Sequence, residues 1–335
     1  MKKRKIKCMD IDFVVPWVDG NDPEWIALRN SYSGYYTESR YREWDVFKYW
    51  FRSIEKYAPW VKKIHLVTCG QVPDWLNTKN PKLNLVFHKD YMPERYLPTF
   101  SANPIELNLH RIKELSENFV YFNDDFYLCS PCEEKDFFKN GLPCDSAVLD
   151  QLMPSVTGHQ FVHILCNDSA VANANFNKKS VIKKNLSGWF HPKYGKYMFL
   201  NLYLSLYGSF SGFRNFHLPQ SFRKSDFEEL WKLEPELLEQ ISLHRFRDCT
   251  DINQYAVRIL NLCKGEFYPR NPKKAGQYFE LSVHDELIAD YMRNQKGKTI
   301  CINDIDSDTM DFQKEYKFIH ELFEEIFPEK SSFEL

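Results

Sequence analysis

Glycine is scarce in this chain, with 12 in 335 residues, and no Gly/Ser-rich or Pro-rich run separates one part from another. No flexible linker is expected, and a composition that is 16% aromatic is not that of a disordered chain. Long apolar runs are missing as well. No stretch approaches the ~20 apolar residues of a membrane-spanning helix, and Met1–Lys7 is charged with no apolar segment behind it. The expected location is the cytosol. An excess of one charge is also missing: the formal net charge of -2 excludes a general nucleic-acid binder, because neutralising many phosphates takes a clustered basic excess. Nine scattered cysteines, an odd number, fit reduced thiols better than a disulfide framework. Cys129-Ser130-Pro131-Cys132 is a lone C-x-x-C and reads as two ordinary thiols. His159, His163 and Cys166 have helical ligand spacing, but no Glu follows the first histidine and the metal reading stays weak.

What is present is a pair of apolar runs that end in carboxylates. Ile11 to Trp25 passes from Ile11-Asp12-Phe13-Val14-Val15 into Trp17-Val18-Asp19-Gly20-Asn21-Asp22-Pro23, and Phe119-Val120-Tyr121-Phe122-Asn123-Asp124-Asp125 does the same. Each reads as a buried strand delivering polar groups to its carboxyl end, which is where open α/β sheets bind ligands.

Periodicity between and beyond these runs alternates. Arg42 to Tyr57 carries a helical stripe at Val46, Phe47, Trp50, Ile54 and Tyr57, stopped by Ala58-Pro59. Lys63–Thr68 and Leu83–Phe87 read as short strands. Asn103-Pro104 reads as an N-cap and first helical position of a helix through about Leu115. The resulting β-α-β-β-α-β order predicts an α/β fold with a mostly parallel, helix-covered sheet of nucleotide-binding type. Later, Ser225-Asp226-Phe227-Glu228 reads as a capping box opening a helix toward His244, which Pro235 should break or kink. Thr299–Ile302 reads as a last strand, running into Asn303-Asp304-Ile305-Asp306, and Asp311–Ile326 as a closing helix. The expected organisation is an α/β half over residues 1–150, a largely helical insertion over 151–298, and a strand and helix over 299–335 that return to the core.

Four blocks of the chain, in order, carry a resemblance. The first is Ile11 to Trp25. The second runs from Arg52-Ser53-Ile54-Glu55-Lys56-Tyr57-Ala58-Pro59-Trp60-Val61 through Gly70-Gln71-Val72-Pro73-Asp74-Trp75-Leu76-Asn77 and Leu97-Pro98-Thr99-Phe100 to Asn123-Asp124-Asp125. The third holds His217-Leu218-Pro219 and His244-Arg245-Phe246-Arg247, and the fourth is Cys301-Ile302-Asn303-Asp304. With these blocks the chain resembles the Stealth family of hexose-1-phosphate transferases, which includes bacterial capsular polysaccharide phosphotransferases and the lysosomal-enzyme N-acetylglucosamine phosphotransferase. It departs from that pattern at Pro16, where many relatives carry Thr, and at Trp44-Asp45-Val46, which replaces a more acidic stretch.

The resemblance implies a GT-A or Rossmann-like fold and transfer of a sugar-1-phosphate from a UDP-sugar to a hydroxyl of a polysaccharide or oligosaccharide, with release of UMP. Such chemistry needs charge neutralisation, proton removal and in-line positioning. Asp124 and Asp125 suit a divalent cation, Mg²⁺ or Mn²⁺. His217 is the expected general base, with an ordinary imidazole pKa of about 6.5. Arg247 is expected to clamp phosphate oxygens, or else to pair with Asp248 or Asp251. Asp19, Gly20 and Asp22 are expected to shape the nucleotide pocket, Gly20 by letting backbone approach the ligand. Asn103, Glu106, Asn123, His244, Asn303 and Asp304 complete the expected binding set.

The segment Asn177 to Tyr194 is basic and aromatic, and is expected either to hold an anionic polysaccharide or to touch the inner membrane surface, a solvated loop being the plain alternative. Two other readings remain open. One is a metal-dependent glycosyltransferase that releases UDP, and the other a non-catalytic carbohydrate-binding protein.

Overall fold

The computed structural model describes residues 9–32, 41–154, 160–304 and 310–335. Met1–Lys7, His159, Ile305 and Asp306 lie outside the described residues. The strands are β1 (Ile11–Pro16), β2 (Ile64–Thr68), β3 (Leu83–Phe87), β4 (Asn118–Tyr121), β5 (Phe126–Leu128), β6 (Phe138–Lys139), β7 (Leu142–Asp145), β8 (Gln220–Arg223), β9 (Tyr268–Pro269), β10 (Gly276–Glu280) and β11 (Thr299–Asn303). The central sheet runs β3-β2-β1-β4-β8. Its first four strands are parallel and only β8, paired with β4, is antiparallel. The expected α/β class and mostly parallel sheet are what the structure shows. Two smaller three-stranded sheets, β10-β11-β5 and β6-β7-β9, complete it.

Successive residues of a strand face opposite sides. Ile11, Phe13 and Val15 of β1 therefore enter one core, with Ile64, Leu66, Val120 and Phe122. The helix Phe47–Tyr57 covers this side, burying Phe47, Trp50, Phe51 and Ile54. That helix starts five residues later than its apolar stripe suggested, since Arg42 and Trp44 are engaged elsewhere. The helix Phe312–Ile326 packs behind it, through Tyr49 against Phe323 at 5.1 Å and Arg52 Nη1 donating to Phe327 O at 2.8 Å. On the other side Val14, Val67, Phe119, Tyr121 and Phe222 meet the helices Ala102–Leu107, Lys224–Leu233, Pro235–Ser242 and Gln254–Lys264. A third apolar cluster, around Trp189, Phe210, Phe213 and Leu262, sits beside the sheet in the second half of the chain.

Several local expectations change. The strand at 119–125 ends at Tyr121, and the chain turns before re-entering a different sheet as β5. The helix opening at Asn103 starts at Ala102 behind Ser101 and stops at Leu107, giving way to a 3₁₀ turn, Leu109–Arg111. The cap before Phe227 is Arg223, whose N–H donates to the Asp226 carboxylate at 3.1 Å. Pro235 does break the helix, standing at the first turn of a new one. Residues 177–194, one alternative for which was a loop, form the helices Lys178–Lys184 and Leu186–Trp189 and a 3₁₀ turn, with Trp189 and Tyr194 fully buried. Those two rings are unavailable for stacking on a sugar. Cys129 and Cys132 are buried in the first core, and burial pushes the Cys132 thiol up to about 12.

One buried charge anchors the central sheet. Asp12 of β1 is fully buried and accepts from Ser116 N at 2.7 Å, and its Oδ2 lies 3.1 Å from His65 Nε2 of β2. Asn84 of β3 reaches His65 Nδ1 at 2.9 Å, so one polar chain crosses three strands. Burial alone would raise the Asp12 carboxyl, but His65 and Ser116 outweigh it and hold it below its ordinary 3.8. A carboxyl lowered in the fold contributes stability above its unfolded pKa and loses it as pH falls through the folded value. Asp12→Ala should therefore cost about 3 kcal/mol in urea unfolding at pH 7, by orphaning buried His65, and the difference from wild type should shrink below pH ~4. Equal midpoints at pH 7 would show that the buried pair contributes nothing.

Candidate active site

Parallel pairing of β1 with β4, Val14 opposite Tyr121, brings their carboxyl ends together. Phe122 N continues the ladder to Val14 O at 2.8 Å, and Phe126 N then closes a turn onto Asn123 O at 3.2 Å. Asp124 and Asp125 occupy that turn. Ile302 N of β11 holds it from the far side by donating to Asp125 O at 3.0 Å.

The carboxylates crowd one another. Asp124 remains open to solvent, yet the protein packed around its carboxylate and then the charge of Asp125 push it up to about 7. Burial pushes Asp125 up to about 6, moderated by Cys301, whose thiol donates to Oδ2 at 3.2 Å. The other oxygen, Oδ1, is buried with no hydrogen-bond partner among the described residues. Glu43 is likewise raised to about 7 by burial, partly offset by Asp45 N–H, with the charges of Asp124, Asp45 and Asp19 adding to the rise. An orphaned oxygen and like charges facing each other fit a hard divalent cation, which would relieve both. Asp125, His217 and Cys301 offer ligand atoms within 4.8 Å of one another. Burial raises the Cys301 thiol well above its ordinary range, so it serves as a hydrogen-bond donor to Asp125; a protonated thiol is no ligand for Mg²⁺ or Mn²⁺.

His217 reaches this cluster because of β8. Tyr121 pairs with Gln220 in the antiparallel ladder, so the residues just before Gln220 lie beside those just after Tyr121. His217 has a φ of +50°, a left-handed conformation uncommon outside glycine, and its N–H donates to Asn215 Oδ1 at 2.8 Å. Phe126 and Tyr278 present ring edges to the imidazole at 5.1 and 5.7 Å. Its Nδ1 lies 3.3 Å from Tyr255 Oη, and the Nδ1–H tautomer, donating to that oxygen, leaves Nε2 with a free lone pair. Tyr255 is itself placed by the first turn of the helix Gln254–Lys264, where Asn253 Oδ1 accepts Tyr255 N at 3.0 Å. Burial, then Arg247, pushes His217 down to about 4, well below the ordinary value expected for it. It is a neutral base at pH 7.

Arg247 is half-buried and lies close enough to His217 and Glu106 to shift both. Glu106 is buried and raised to about 7 by burial, with Tyr121 Oη donating to Oε1 at 2.7 Å and Oε2 unpartnered. Asn103 and His244 are drawn into a separate network. Asn103 Nδ2 donates to Asp251 Oδ2 at 2.7 Å, and His244 Nδ1 lies 2.6 Å from Asp251 Oδ1. Fully buried Asn103 thus braces the loop that carries Arg247, where a sugar contact was expected.

Three more expected contacts are taken by the protein. A Cβ on Gly20 would lie 1.8 Å from Tyr41 O, so Gly20 makes room for Tyr41, not for a ligand. Asp22 Oδ1 accepts from Glu24 N and Trp25 N at the start of the helix Pro23–Tyr32, and Gln71 Nε2 donates to its Oδ2 at 2.8 Å. Asp304 is held by Arg42 Nη1 at 3.2 Å and Trp44 Nε1 at 3.1 Å, tying the end of β11 to the segment before the helix Phe47–Tyr57. Asp19 Oδ1 accepts from Asn21 N at 2.8 Å, while its N–H donates to Gln71 Oε1 at 2.9 Å. Asn123 and Asn303 are half-buried. Sequence reasoning missed Glu43, Gln71 and Tyr255, none of which stands in a carboxylate-rich or histidine motif. Only Gln71, inside Gly70-Gln71-Val72-Pro73, lay in a block already singled out.

Comparison with known proteins follows this geometry. Residues 9–37 match conserved region 1 of the Stealth proteins and residues 40–145 match conserved region 2. A capsular polysaccharide phosphotransferase, WcwK, of Streptococcus pneumoniae is 40% identical over 331 residues, covering 97% of this chain and 99% of its own. An exopolysaccharide phosphotransferase, cps2G, of Lactiplantibacillus plantarum is 39% identical over 329 residues, covering 97% and 96%. Among solved structures, the galactosyltransferase LgtC in complex with donor and acceptor sugar analogues is similar at a TM-score of 0.41 and 11% identity, covering 94% and 96%. The chain belongs to the Stealth family.

The raised carboxyls carry a testable consequence. A carboxyl raised in the fold costs stability while ionised, so Asp124→Asn should leave the cation-free melting temperature equal or higher. The same change should weaken Mn²⁺ binding, read by calorimetry, by about tenfold or more. Unchanged Mn²⁺ affinity would remove Asp124 from the cation site.

Proposed function

We propose that the chain transfers a hexose- or N-acetylhexosamine-1-phosphate from a UDP-sugar to a hydroxyl of a growing polysaccharide, in capsule or exopolysaccharide synthesis. The observation that carries this reading is the convergence of Asp124, Asp125 and His217 at the carboxyl ends of β1 and β4, in a chain alignable end to end with polysaccharide phosphotransferases. The acceptor oxygen forms a bond to the phosphorus that bears the sugar, the bond from that phosphorus to the bridging oxygen breaks, and UMP leaves. The hydroxyl proton passes to His217.

Roles follow from position. Asp124 and Asp125 would hold a Mg²⁺ or Mn²⁺ ion, which supplies charge neutralisation at the diphosphate. Asp19 and Asn123 line the donor side, and Asn303 closes it from β11. Tyr255 holds the His217 ring, and Arg247 offers its fork of donors to phosphate oxygens. Burial, and then Arg247, makes His217 a weak base, and a phosphate paired with the guanidinium would cancel part of the second contribution. On this reading residues 1–150 bind the donor, 151–298 present the acceptor side, and 299–335 close the core. The expected setting is the cytosol.

The phosphotransferase reading rests on which bond breaks. With oxygen-18 in the sugar–phosphate bridge of the donor, the label should appear in the product phosphodiester and the nucleotide released should be UMP. Labelled UDP would instead establish a glycosyltransferase, and no nucleotide release with any UDP-sugar would favour a binding protein.

His217 allows a second role, because its proximity to Asp125 also suits a cation ligand. As base, His217→Ala should depress turnover by ~10²–10⁴-fold with Mn²⁺ and donor affinities nearly unchanged. A parallel fall in Mn²⁺ affinity would make it a ligand. Arg247→Lys keeps the charge but loses the fork, and should weaken donor affinity and turnover together.

A further inference from the structure

The helix Tyr197–Ser205 is apolar on both faces. Its inner face is explained: Leu204 is buried, and Asn201 Nδ2 donates to Ala147 O and Trp189 O. The outer face is not. Phe199, Leu202, Tyr203 and Leu206 recur at helical spacing and are 70, 58, 55 and 76% exposed, with Tyr207 and Leu186 beside them about half exposed. Large apolar side chains scattered singly on a surface need no explanation, but a contiguous row marks a surface that something covers.

Charge around the row indicates what covers it. The helix Lys178–Lys184 packs against this helix, with Lys178 Nζ donating to Leu204 O at 2.7 Å and Ser209 O at 2.9 Å. Lys179, Lys183 and Lys184 on that helix, and Lys196 at the start of the apolar one, are exposed, and among the described residues none has a carboxylate within ion-pair distance. No Asp or Glu occurs between Asp168 and Asp226, in a chain that otherwise carries 46 of them. An exposed apolar row flanked by unpaired lysines in an acid-free stretch has the two components of an interfacial anchor: apolar side chains for the acyl boundary and cations for anionic headgroups.

We infer that this face docks the protein on an anionic lipid bilayer, the apolar row lying in the plane of the interface. The contact is peripheral, since no helix among the described residues is long and apolar enough to cross a membrane. It bears on the site as well. Tyr197, at the inner start of the helix, packs edge-on against Phe216 at 5.5 Å, next to His217. The inference stands independently of the reaction proposed above.

Co-sedimentation of the full chain with phosphatidylglycerol vesicles and with phosphatidylcholine vesicles tests it. The full chain should bind the first and bind the second weakly, and raising salt from about 0.1 M to about 0.5 M should reduce binding. Leu202→Glu with Leu206→Glu should lower binding by about tenfold or more, and so should Lys179→Glu with Lys183→Glu and Lys184→Glu. Because all five side chains are exposed, both variants should keep the wild-type circular dichroism, and the leucine variant should keep transfer to a water-soluble acceptor. No binding to phosphatidylglycerol by folded protein, or undiminished binding by the leucine variant, would overturn the inference. So would a wild-type dimer in light scattering that the leucine variant converts to monomer, since a second copy would then cover the face.

Discussion

The parallel pairing of β1 with β4 is the constraint from which the site follows. It fixes where two apolar runs end, and both end in carboxylates. A slip of one residue would exchange the two faces of β1, driving Phe13 into the Asp12 environment and Asp12 into an aromatic core, so the register is held by burial on both sides. Once β4 is fixed, β8 has one place to pair, and its antiparallel register returns the 215–219 segment to the end where Asp124 and Asp125 emerge. The chain then leaves the central sheet for β5, which pairs with β11, so the acidic turn lies at the junction of two sheets and is gripped by both.

That grip carries an energetic cost visible in the groups themselves. Asp124, Asp125, Glu43 and Glu106 are all raised by burial, and His217 is lowered, so these five groups are held away from their ordinary titration ranges. His217 adds a left-handed backbone. None of these features stabilises a fold, and each is what a site awaiting a cation and a polyanion would show. The stability offsetting them comes from the aromatic core under the helix Phe47–Tyr57, where Trp50 meets Phe122 edge to face at 5.5 Å and Phe13 packs tilted against Phe122 at 4.9 Å.

What could be read from the sequence divides along a physical line. Local periodicity located the strands and the helix ending at Ala58-Pro59, and the break at Pro235 followed from proline's missing N–H. The acidic ends of β1 and β4 were legible because carboxylates are rare at the ends of apolar strands, whereas His217 was legible only through the family resemblance. Contacts set by tertiary packing were not. Gly20 looked like a ligand contact because the partner that needs its space, Tyr41, is set by tertiary packing. Asn103 looked like a cap because its true partner, Asp251, is remote in sequence. Asp12, inside an apolar run, gave no sign that His65 and Asn84 would complete it. In the 177–194 segment, lysines and aromatics suggested one mixed surface. Folding separates them, burying Trp189, Tyr194 and Lys178 and leaving Lys179, Lys183 and Lys184 outside.

This separation bears on how the two halves of the chain cooperate. The first half supplies the sheet edge on which Asp124 and Asp125 stand, the donor side on the proposed reading. The second half contributes His217, Tyr255, Arg247, Tyr278, Cys301 and Asn303 to that site, and it carries the acid-free stretch and the exposed apolar row. Phe216 joins the two functions, since it contacts Tyr197 on the surface helix and is adjacent in sequence to the imidazole. A surface that orients the second half would therefore also orient the side of the site from which, on the proposed reading, an acceptor hydroxyl reaches His217.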